Sequence, residues 1–276
     1  MINVKILKDS LGLDGNRVTT FELEYPRYIH SEMLTHRVYS RNSASSRAIP
    51  LNKMIELVMS NPVIPHWTKN QKGMQGGVVD PIIKGKATDE WLHALSNAVD
   101  SVSKLQELGI HKQNANRLLE PFQHIKTILT GTEFDNLFNL RISPEAQPEF
   151  CELATKMKEA LDSSTPVPLD FNDVHCPFIE GTVSFYDIDR IFESVALCAQ
   201  VSYRRENREP EAIKRIINML LTAERLHASP FEHICWIDPT NSAKGNLQGF
   251  TQLRHIIEAM PKENRNYDGV KNNWEK

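Results

Sequence analysis

The N-terminal stretch "MINVKILKDSLGLDGNRVTTFELEYP" (residues 1–26) has the pattern of a β-hairpin that leads into a helix. Apolar and polar residues alternate in "INVKIL" and again in "FELEY", as they do in strands that bury one face. The dipeptide Asp14–Gly15 between these runs is a turn signal. Pro26 is a favourable helix start, and the side-chain spacing predicts a helix from there to about Ser40.

Helical spacing dominates the rest of the sequence. Apolar residues recur at helical intervals in residues 88–108 and 143–161, and in the C-terminal segments 187–201, 210–226 and 247–260. The run "GTVSF" resembles a short strand. Because strands and helices do not alternate regularly, the pattern predicts an α+β fold in which a small antiparallel sheet is flanked by helices.

The length of 276 residues fits a single domain that spans residues 1–276. Residues 61–87 are rich in proline and glycine and predict a long structured loop or insertion. Loops of this length within a domain are usually functional.

Composition narrows the class of protein. The net charge of −3 gives no general attraction for nucleic acid or membranes. No apolar run approaches the roughly 18 residues of a membrane span, and the N-terminus does not resemble a signal peptide. The four cysteines form no CxxC pair and the ten histidines no HExxH motif. We therefore expect a cytoplasmic protein with free thiols and no metal site.

The stretch "THRVYSRNSASSRAIP" (residues 35–50) stands out against this background. Arg37, Arg41 and Arg47 offer forked donors that match phosphate oxygens. The serines and backbone N–H groups between them can complete an anion-binding nest. Three interpretations are open at this point: a solvated helix end, a phosphate or nucleotide site, and a nucleic-acid contact, for which interleaved aromatic residues are missing.

Other isolated polar residues carry the same ambiguity. His233 lies in the apolar run "FEHICW", where a histidine is usually a satisfied core residue. Arg117 and Arg141 fit ordinary ion pairs as well as a binding site. Their joint presence in an acidic chain favours one shared anionic ligand.

Together these stretches resemble the flavin-dependent thymidylate synthases. That family has Arg-His-Arg, seven residues and then serine, and here Thr35-His36-Arg37 is followed by "VYSRNSA" and Ser45. The segments "GIHKQNANRLLEP" and "TGTEFDNLFNLR" are similar to the family segments that carry a phosphate-binding arginine and a base-recognising arginine.

Two C-terminal segments extend the resemblance. "QVSYR" and "SPFEHICW" look like the family elements "RVSF" and "PFEH", in which Ser202 and His233 would face the flavin. In the family these elements precede the Arg-His-Arg motif, so their C-terminal position here implies a circularly permuted arrangement. "GFTQLRH" then resembles the helix that leads into the motif.

The resemblance implies a reaction and a set of site residues. The family methylates dUMP to dTMP with methylenetetrahydrofolate and NADPH as co-substrates and FAD as cofactor. The implied catalytic residue is Arg141. The implied substrate contacts are Ser45, Ser46, Arg47, Arg117, Arg141, Gln252 and Arg254. The implied flavin contacts are His36, Arg37, Ser43, Asn136, Ser202 and His233. The resemblance also implies a homotetramer whose sites are shared between subunits, with a small-molecule substrate and neither membrane nor nucleic acid as partner.

Three departures from the family pattern bear on the substrate. Thr35 replaces the first arginine of the motif, Glu32 a glutamine and Ser43 a glutamate. They motivate an alternative, in which the same scaffold methylates or hydroxymethylates another pyrimidine deoxynucleotide such as dCMP. A non-catalytic nucleic-acid-binding module is the alternative from another class.

Overall fold

Two β-sheets organise the part of the chain that the computed structural model describes, which is residues 1–72, 76–202, 207–222, 226–238, 240 and 245–274. The first sheet has the strand order β3-β4-β2-β1-β5 and the second the order β7-β6-β8-β9. The strands are β1 (Asn3–Leu11), β2 (Arg17–Pro26), β3 (Ser40–Ser43), β4 (His124–Gly131), β5 (Val167–Pro168), β6 (Asp173–His175), β7 (Val183–Ser184), β8 (Cys235–Ile237) and β9 (Phe250–Gln252). Among these described strands, only β5 pairs in parallel, with β1.

Helices cover both sheets. The α-helices are α1 (His30–Thr35), α2 (Leu51–Ser60), α3 (Pro81–Glu107), α4 (Lys112–Ala115), α5 (Asp135–Arg141), α6 (Pro148–Ser163), α7 (Ile188–Ala199), α8 (Pro210–Thr222), α9 (Leu253–Ala259) and α10 (Tyr267–Trp274). Short 3-10 helices span Arg27–Ile29, Asn116–Phe122, Gln200–Ser202, Ser229–His233 and Lys262–Asn264. The predicted α+β class is confirmed, and the N-terminal hairpin forms as the alternation indicates.

The helix predicted to run from Pro26 to Ser40 is wrong in its second half. A 3-10 turn and α1 occupy residues 27–35, and Ser40–Ser43 forms an edge strand on β4. Local spacing favoured a helix, but pairing with the open edge of β4 satisfies the backbone groups of this segment instead.

Three predicted boundaries also move. The helix predicted over residues 247–260 begins only at Leu253, because residues 250–252 form strand β9. Helix α3 begins at Pro81, so the last seven residues of the predicted 61–87 loop are helical. Asp80 caps this helix by accepting from the backbone N–H of Ile82 at 2.9 Å. Helix α6 begins at Pro148 and not at Ser143. Both prolines occupy the first turn of a helix, where a missing N–H costs nothing.

Some predicted features lie outside the described residues. These are residues 73–75 of the loop, residues 223–225 of the helix predicted over 210–226, and residues 203–204 of "QVSYR". Within the described ranges, no helix is both long and apolar enough to cross a bilayer.

The hydrophobic core consists of several clusters on either side of the first sheet. One cluster packs Phe21 and Leu129 of that sheet against Phe150 of α6. Another surrounds α7 and α8, and a third joins α2 and α3 to the 3-10 turn at 116–122. Strand β4 lies between β2 and β3, and its side chains therefore reach more than one of these layers.

Candidate active site

A cleft of about 1140 Å³ opens between α1, α5 and the turn at residues 116–122. We call it the arginine cleft. Its charged and aromatic lining residues include Arg27, Tyr28, Glu32, Trp67, Trp91, Arg117, Glu120, Arg141 and Glu149. The two arginines that the family resemblance assigned to base and phosphate thus line one cavity in a single chain.

Arg141 is held in place from three sides. Its Nη1 donates to Glu32 Oε2 at 2.8 Å and its Nε to His36 Nε2 at 3.1 Å. Its guanidinium lies 4.5 Å from the centre of the Phe150 ring, within cation–π distance. The side chain is 20% exposed, so these contacts fix its orientation while leaving part of it open to the cleft.

His36 is mostly buried and accepts the hydrogen bond from Arg141 through Nε2. Burial, and then the nearby charges of Arg141 and Arg41, lower its pKa. A neutral imidazole that accepts at Nε2 carries its proton on Nδ1. His36 therefore acts here as a support for Arg141.

Glu120 joins the phosphate-side residues of the cleft. Its Oε1 accepts from Arg117 Nη1 at 2.7 Å and lies 3.0 Å from Arg27 Nη2. The Ser46 hydroxyl approaches the same oxygen at 3.4 Å. Two guanidiniums around one carboxylate leave an excess of one positive charge, which suits an anionic ligand.

The loop after β3 is fixed by hydrogen bonds to distant segments. The Ser45 backbone N–H donates to Ser202 Oγ at 2.9 Å, and Asn116 Nδ2 donates to the Ser46 carbonyl at 2.7 Å. Ser43 Oγ lies 3.0 Å from Thr127 Oγ1. The loop thus presents a preformed set of polar groups next to Glu120.

Arg37 and Arg47 differ from the arginines of the cleft. Both are exposed, and neither makes an ion pair or hydrogen bond with any residue in the described ranges. Asn136 is likewise exposed on α5 and lies outside the arginine cleft. A single chain leaves these three side chains available to a further partner.

Gln252 and Arg254 do not line the arginine cleft. Gln252 is buried, and its Nε2 donates to Ser40 Oγ at 2.9 Å and to the Glu232 carbonyl at 2.8 Å. Arg254 pairs with Glu232 and, at 2.8 Å, with Glu258. In one chain these two predicted substrate contacts hold the 3-10 turn at 229–233 against β3.

A second cavity, of about 200 Å³, lies behind the loop and is lined by Glu24, Arg27, Ser46, Lys126 and Ser202 among others. Arg27 thus lines both this small cavity and the arginine cleft. The volume is below the 300–1,000 Å³ typical of small-molecule sites.

His233 ends a chain of buried hydrogen bonds, which we call the buried histidine chain. Its successive contacts are Ser10 Oγ to His175 Nδ1 at 2.9 Å, His175 Nε2 to Thr20 Oγ1 at 2.8 Å, Thr20 Oγ1 to Thr130 Oγ1 at 2.6 Å and Thr130 Oγ1 to His233 Nδ1 at 2.8 Å. All five residues are fully buried, and burial lowers the pKa of His175 and of His233 to about 3. Both histidines are therefore neutral.

The direction of these hydrogen bonds follows from counting donors. If Ser10 donates to His175, each hydroxyl and ring N–H of the chain has an acceptor except His233 Nε2, which lacks a partner among the described residues. The opposite direction leaves both the Ser10 hydroxyl and His233 Nε2 unpaired. The first arrangement costs less, so His233 presents a single buried N–H donor.

The predicted flavin contacts fall into two groups. Ser43, Ser202 and His233 belong to the layer around β3 and β4, whereas His36 lies beside Arg141. His233 Nε2 is unpaired but fully buried, and His233 lines neither of the two cavities described above. Neither group alone lines a cavity large enough for FAD. A single chain therefore provides only part of an FAD site.

Comparison with known families identifies the chain. Residues 17–167 match the model of the thymidylate synthase complementing protein family. The chain belongs to this family, and the resemblance to flavin-dependent thymidylate synthases is confirmed. The matched residues include the motif at 35–47 and both Arg117 and Arg141. The elements around Ser202 and His233 lie outside the match, so their permuted order stays a prediction.

Two solved structures are partly similar to this chain at low sequence identity. Two crystal structures of the UMP/dUMP methylase PolB from Streptomyces cacaoi, bound with 5-Br UMP and with 5-Br dUMP, are each 14% identical to this chain. The alignments cover 58% of this chain in both cases, and 88% and 90% of the other chain, with TM-scores of 0.46 and 0.43. No curated protein matches the sequence.

Sequence reasoning missed several residues of the cleft. Arg27 directly follows β2, and its position after Pro26 indicated only a helix start. Glu120 stands three residues after Arg117, a spacing that indicates a local ion pair. No local pattern marked Trp67 or Glu149, because the cleft brings them together from separate segments.

Proposed function

We propose that this protein is an FAD-dependent thymidylate synthase that methylates dUMP to dTMP, with methylenetetrahydrofolate as carbon donor and NADPH as reductant. The observation that carries the proposal is that Arg117 and Arg141 line one cleft. The family resemblance assigned these residues to phosphate and base separately, from different segments of the sequence.

Arg141 binds the pyrimidine ring in this proposal. A guanidinium has five N–H donors, and two of them are used on Glu32 and His36, which leaves three for a ligand. Facing the oxygens and N3 of uracil, these donors favour negative charge on the ring and so make C5 more nucleophilic. The fixed orientation of Arg141 means that little reorganisation is needed when that charge develops.

Arg117 and Arg27 bind the phosphate in this proposal. Glu120 neutralises one of their two charges, and the side chain of Arg117 is more than half exposed to an incoming ligand. Ser45, Ser46 and the exposed Arg47 come from the adjoining loop and orient the nucleotide. Charge-assisted hydrogen bonds of this type are about twice as strong as neutral ones.

The bound flavin supplies the redox chemistry. Ser43 and Ser202 of one chain would hold it together with His36, Arg37 and Asn136 of another, whereas the predicted contact from His233 requires its buried Nε2 to become accessible. Because these groups lie apart in a single chain, the active form is an oligomer, and we propose the homotetramer. An isolated monomer is then inactive.

A second substrate has support from Glu32. Its carboxylate lies beside the base-recognising Arg141, and a carboxylate accepts hydrogen bonds from the exocyclic amino group of cytosine but not from uracil oxygens. The same scaffold acting on dCMP, by methylation or hydroxymethylation, is therefore the alternative. Replacing Glu32 with Gln would then lower activity on dCMP relative to dUMP.

One experiment tests the proposal. Purified protein is loaded with FAD, reduced with NADPH and incubated with methylenetetrahydrofolate and either dUMP or dCMP, and the product is identified by mass. We expect dUMP to gain one methyl group. If dUMP is unchanged while dCMP gains mass, the substrate assignment is wrong. A colourless protein that takes up no FAD would contradict the enzyme and leave a nucleic-acid-binding module.

A further inference from the structure

Trp67, in the segment before α3, and Trp91, within α3, add an aromatic wall to the arginine cleft. Trp67 Nε1 donates to Thr88 Oγ1 at 2.9 Å, and Trp91 Nε1 donates to the Val63 carbonyl at 2.8 Å. The two indole rings meet edge to face with centres 6.0 Å apart, and Trp91 packs on Phe122 at 5.0 Å. Since both N–H donors are used within the protein, the rings are held rigidly and offer their apolar surface to a ligand.

Glu149 lies in the same wall and is only 3% exposed. Its Oε1 accepts from the Tyr28 hydroxyl and from the His66 backbone N–H, each at 2.8 Å. Its Oε2 has no hydrogen-bond partner within the described residues. This oxygen keeps solvent contact at the wall of the cleft, where it can accept a hydrogen bond from a ligand.

These contacts bring Trp67 and Glu149 together near the base-binding end of the cleft. His66, anchored on Glu149, directly precedes Trp67 in the chain. Phe150, which carries the guanidinium of Arg141 on its ring, directly follows Glu149. The cleft of about 1140 Å³ exceeds the 300–1,000 Å³ typical of a single small-molecule site. There is therefore room for a second ligand beside a mononucleotide.

We propose that Trp67 and Glu149 bind the ring of this second ligand, a planar heteroaromatic ring that stacks on Trp67 and donates ring N–H and amino hydrogens to Glu149. A 2-amino-4-oxo pteridine has this pattern of adjacent donors, so the ligand class is a folate. Uracil has a single N–H between two carbonyl oxygens, which a carboxylate repels. The choice of a folate rests on the proposed function, whereas the ring site itself rests on the contacts above.

The test is a binding measurement on the full-length, FAD-loaded protein. Calorimetric titrations with folate and, separately, with dUMP compare wild type with Trp67→Leu, Trp67→Phe and Glu149→Gln. We expect Trp67→Leu to weaken folate binding about tenfold or more, as loss of a ring-stacking aromatic does elsewhere, and Trp67→Phe to retain most of the affinity. Glu149→Gln should weaken it about tenfold, because a charged acceptor is lost.

The affinity for dUMP should stay within about threefold of wild type in all three variants, because neither side chain contacts the nucleotide in this proposal. A threefold change corresponds to roughly 0.7 kcal/mol, which is less than the loss of a hydrogen bond to a charged group typically costs. Trp274→Leu is the matched control. Trp274 stacks on Phe185 in another core cluster, with ring centres 4.6 Å apart, and its loss should leave both affinities unchanged.

Two results would overturn the proposal. One is an unchanged folate affinity in Trp67→Leu. The other is a loss of dUMP affinity in its place, which would mean that Trp67 stacks on the pyrimidine. If Glu149→Gln does not fold, because Tyr28 and His66 lose their anchor, the two Trp67 variants still decide. Failure of the proposed function would be a separate result. It would appear as absence of dTMP in the activity assay, whereas failure of this inference would appear as folate binding that does not depend on Trp67.

Discussion

The arginine cleft and the buried histidine chain hold their polar side chains in opposite ways. In the cleft, Arg141 and Arg117 are charged, partly exposed and paired with Glu32 and Glu120, and donors remain for a ligand. In the histidine chain every residue is neutral and buried, and the hydrogen bonds are used within the protein up to His233. Burial without charge favours stability, whereas incomplete pairing at an open cleft favours binding.

Arg141→Ala gives the largest expected effect if the cleft is the place of catalysis. Loss of a preorganised donor to developing charge typically lowers kcat by about 10²–10³-fold. We expect this loss in the dTMP assay while flavin absorbance of the purified protein is retained. Arg141→Lys, which keeps the charge but loses the fork, should recover only part of the activity. Activity within a few-fold of wild type would remove Arg141 from the reaction.

Arg117→Ala should act on binding more than on turnover. Hydrogen bonds to charged groups contribute roughly 1.5–3 kcal/mol, so the Kd for dUMP should rise by about tenfold to a hundredfold. Arg27→Ala should have the same direction of effect, because both guanidiniums share Glu120. Lys158→Ala, remote on α6, is the control. An unchanged Kd in Arg117→Ala would exclude it from the phosphate site.

Thr130→Val probes the other region. The substitution keeps the shape but removes the hydroxyl that joins Thr20 to His233. Buried partners left without hydrogen bonds cost about 1–3 kcal/mol, so the free energy of unfolding in urea should fall by that amount. Thr130→Ser retains the hydroxyl and should lose less. An unchanged free energy of unfolding in Thr130→Val would show that the buried histidine chain contributes nothing to stability.

The pH dependence of the free energy of unfolding tests the buried histidine chain separately from the arginine cleft. Because burial lowers the pKa of His175 and of His233 to about 3, the unfolded state binds more protons between about pH 6.5 and pH 3. The free energy of unfolding should therefore be fully present above pH 6.5 and fall as the pH drops through this window, by about 1.4 kcal/mol per pH unit for each histidine. His233→Gln should show a shallower slope. An equal slope in that variant would contradict the neutral, buried state of His233.

The sequence predicted the parts of the site that depend on side-chain identity. The motif at 35–47, Arg117 and Arg141 were recognised from their own neighbours, and the structure brings the two arginines into one cleft. The hairpin of β1 and β2 was readable because its pattern is local. The α+β class followed from the same kind of signal.

The rest depended on contacts between distant segments. Strand β3 forms because β4 offers an unpaired edge, which the spacing of residues 36–40 does not reveal. Arg27 enters the site through its pairing with Glu120, and Trp67 through a turn fixed by Glu149. These contacts exist only in the folded protein, so the sequence around each residue does not reveal them.

Arg27 lines both the arginine cleft and the smaller cavity behind it. One guanidinium therefore contributes its charge to two compartments. An anion that neutralises Arg27 from one side weakens the electrostatic attraction for an anion on the other, and linkage makes the effect mutual. We therefore expect negatively charged groups that occupy the two compartments to weaken each other's binding.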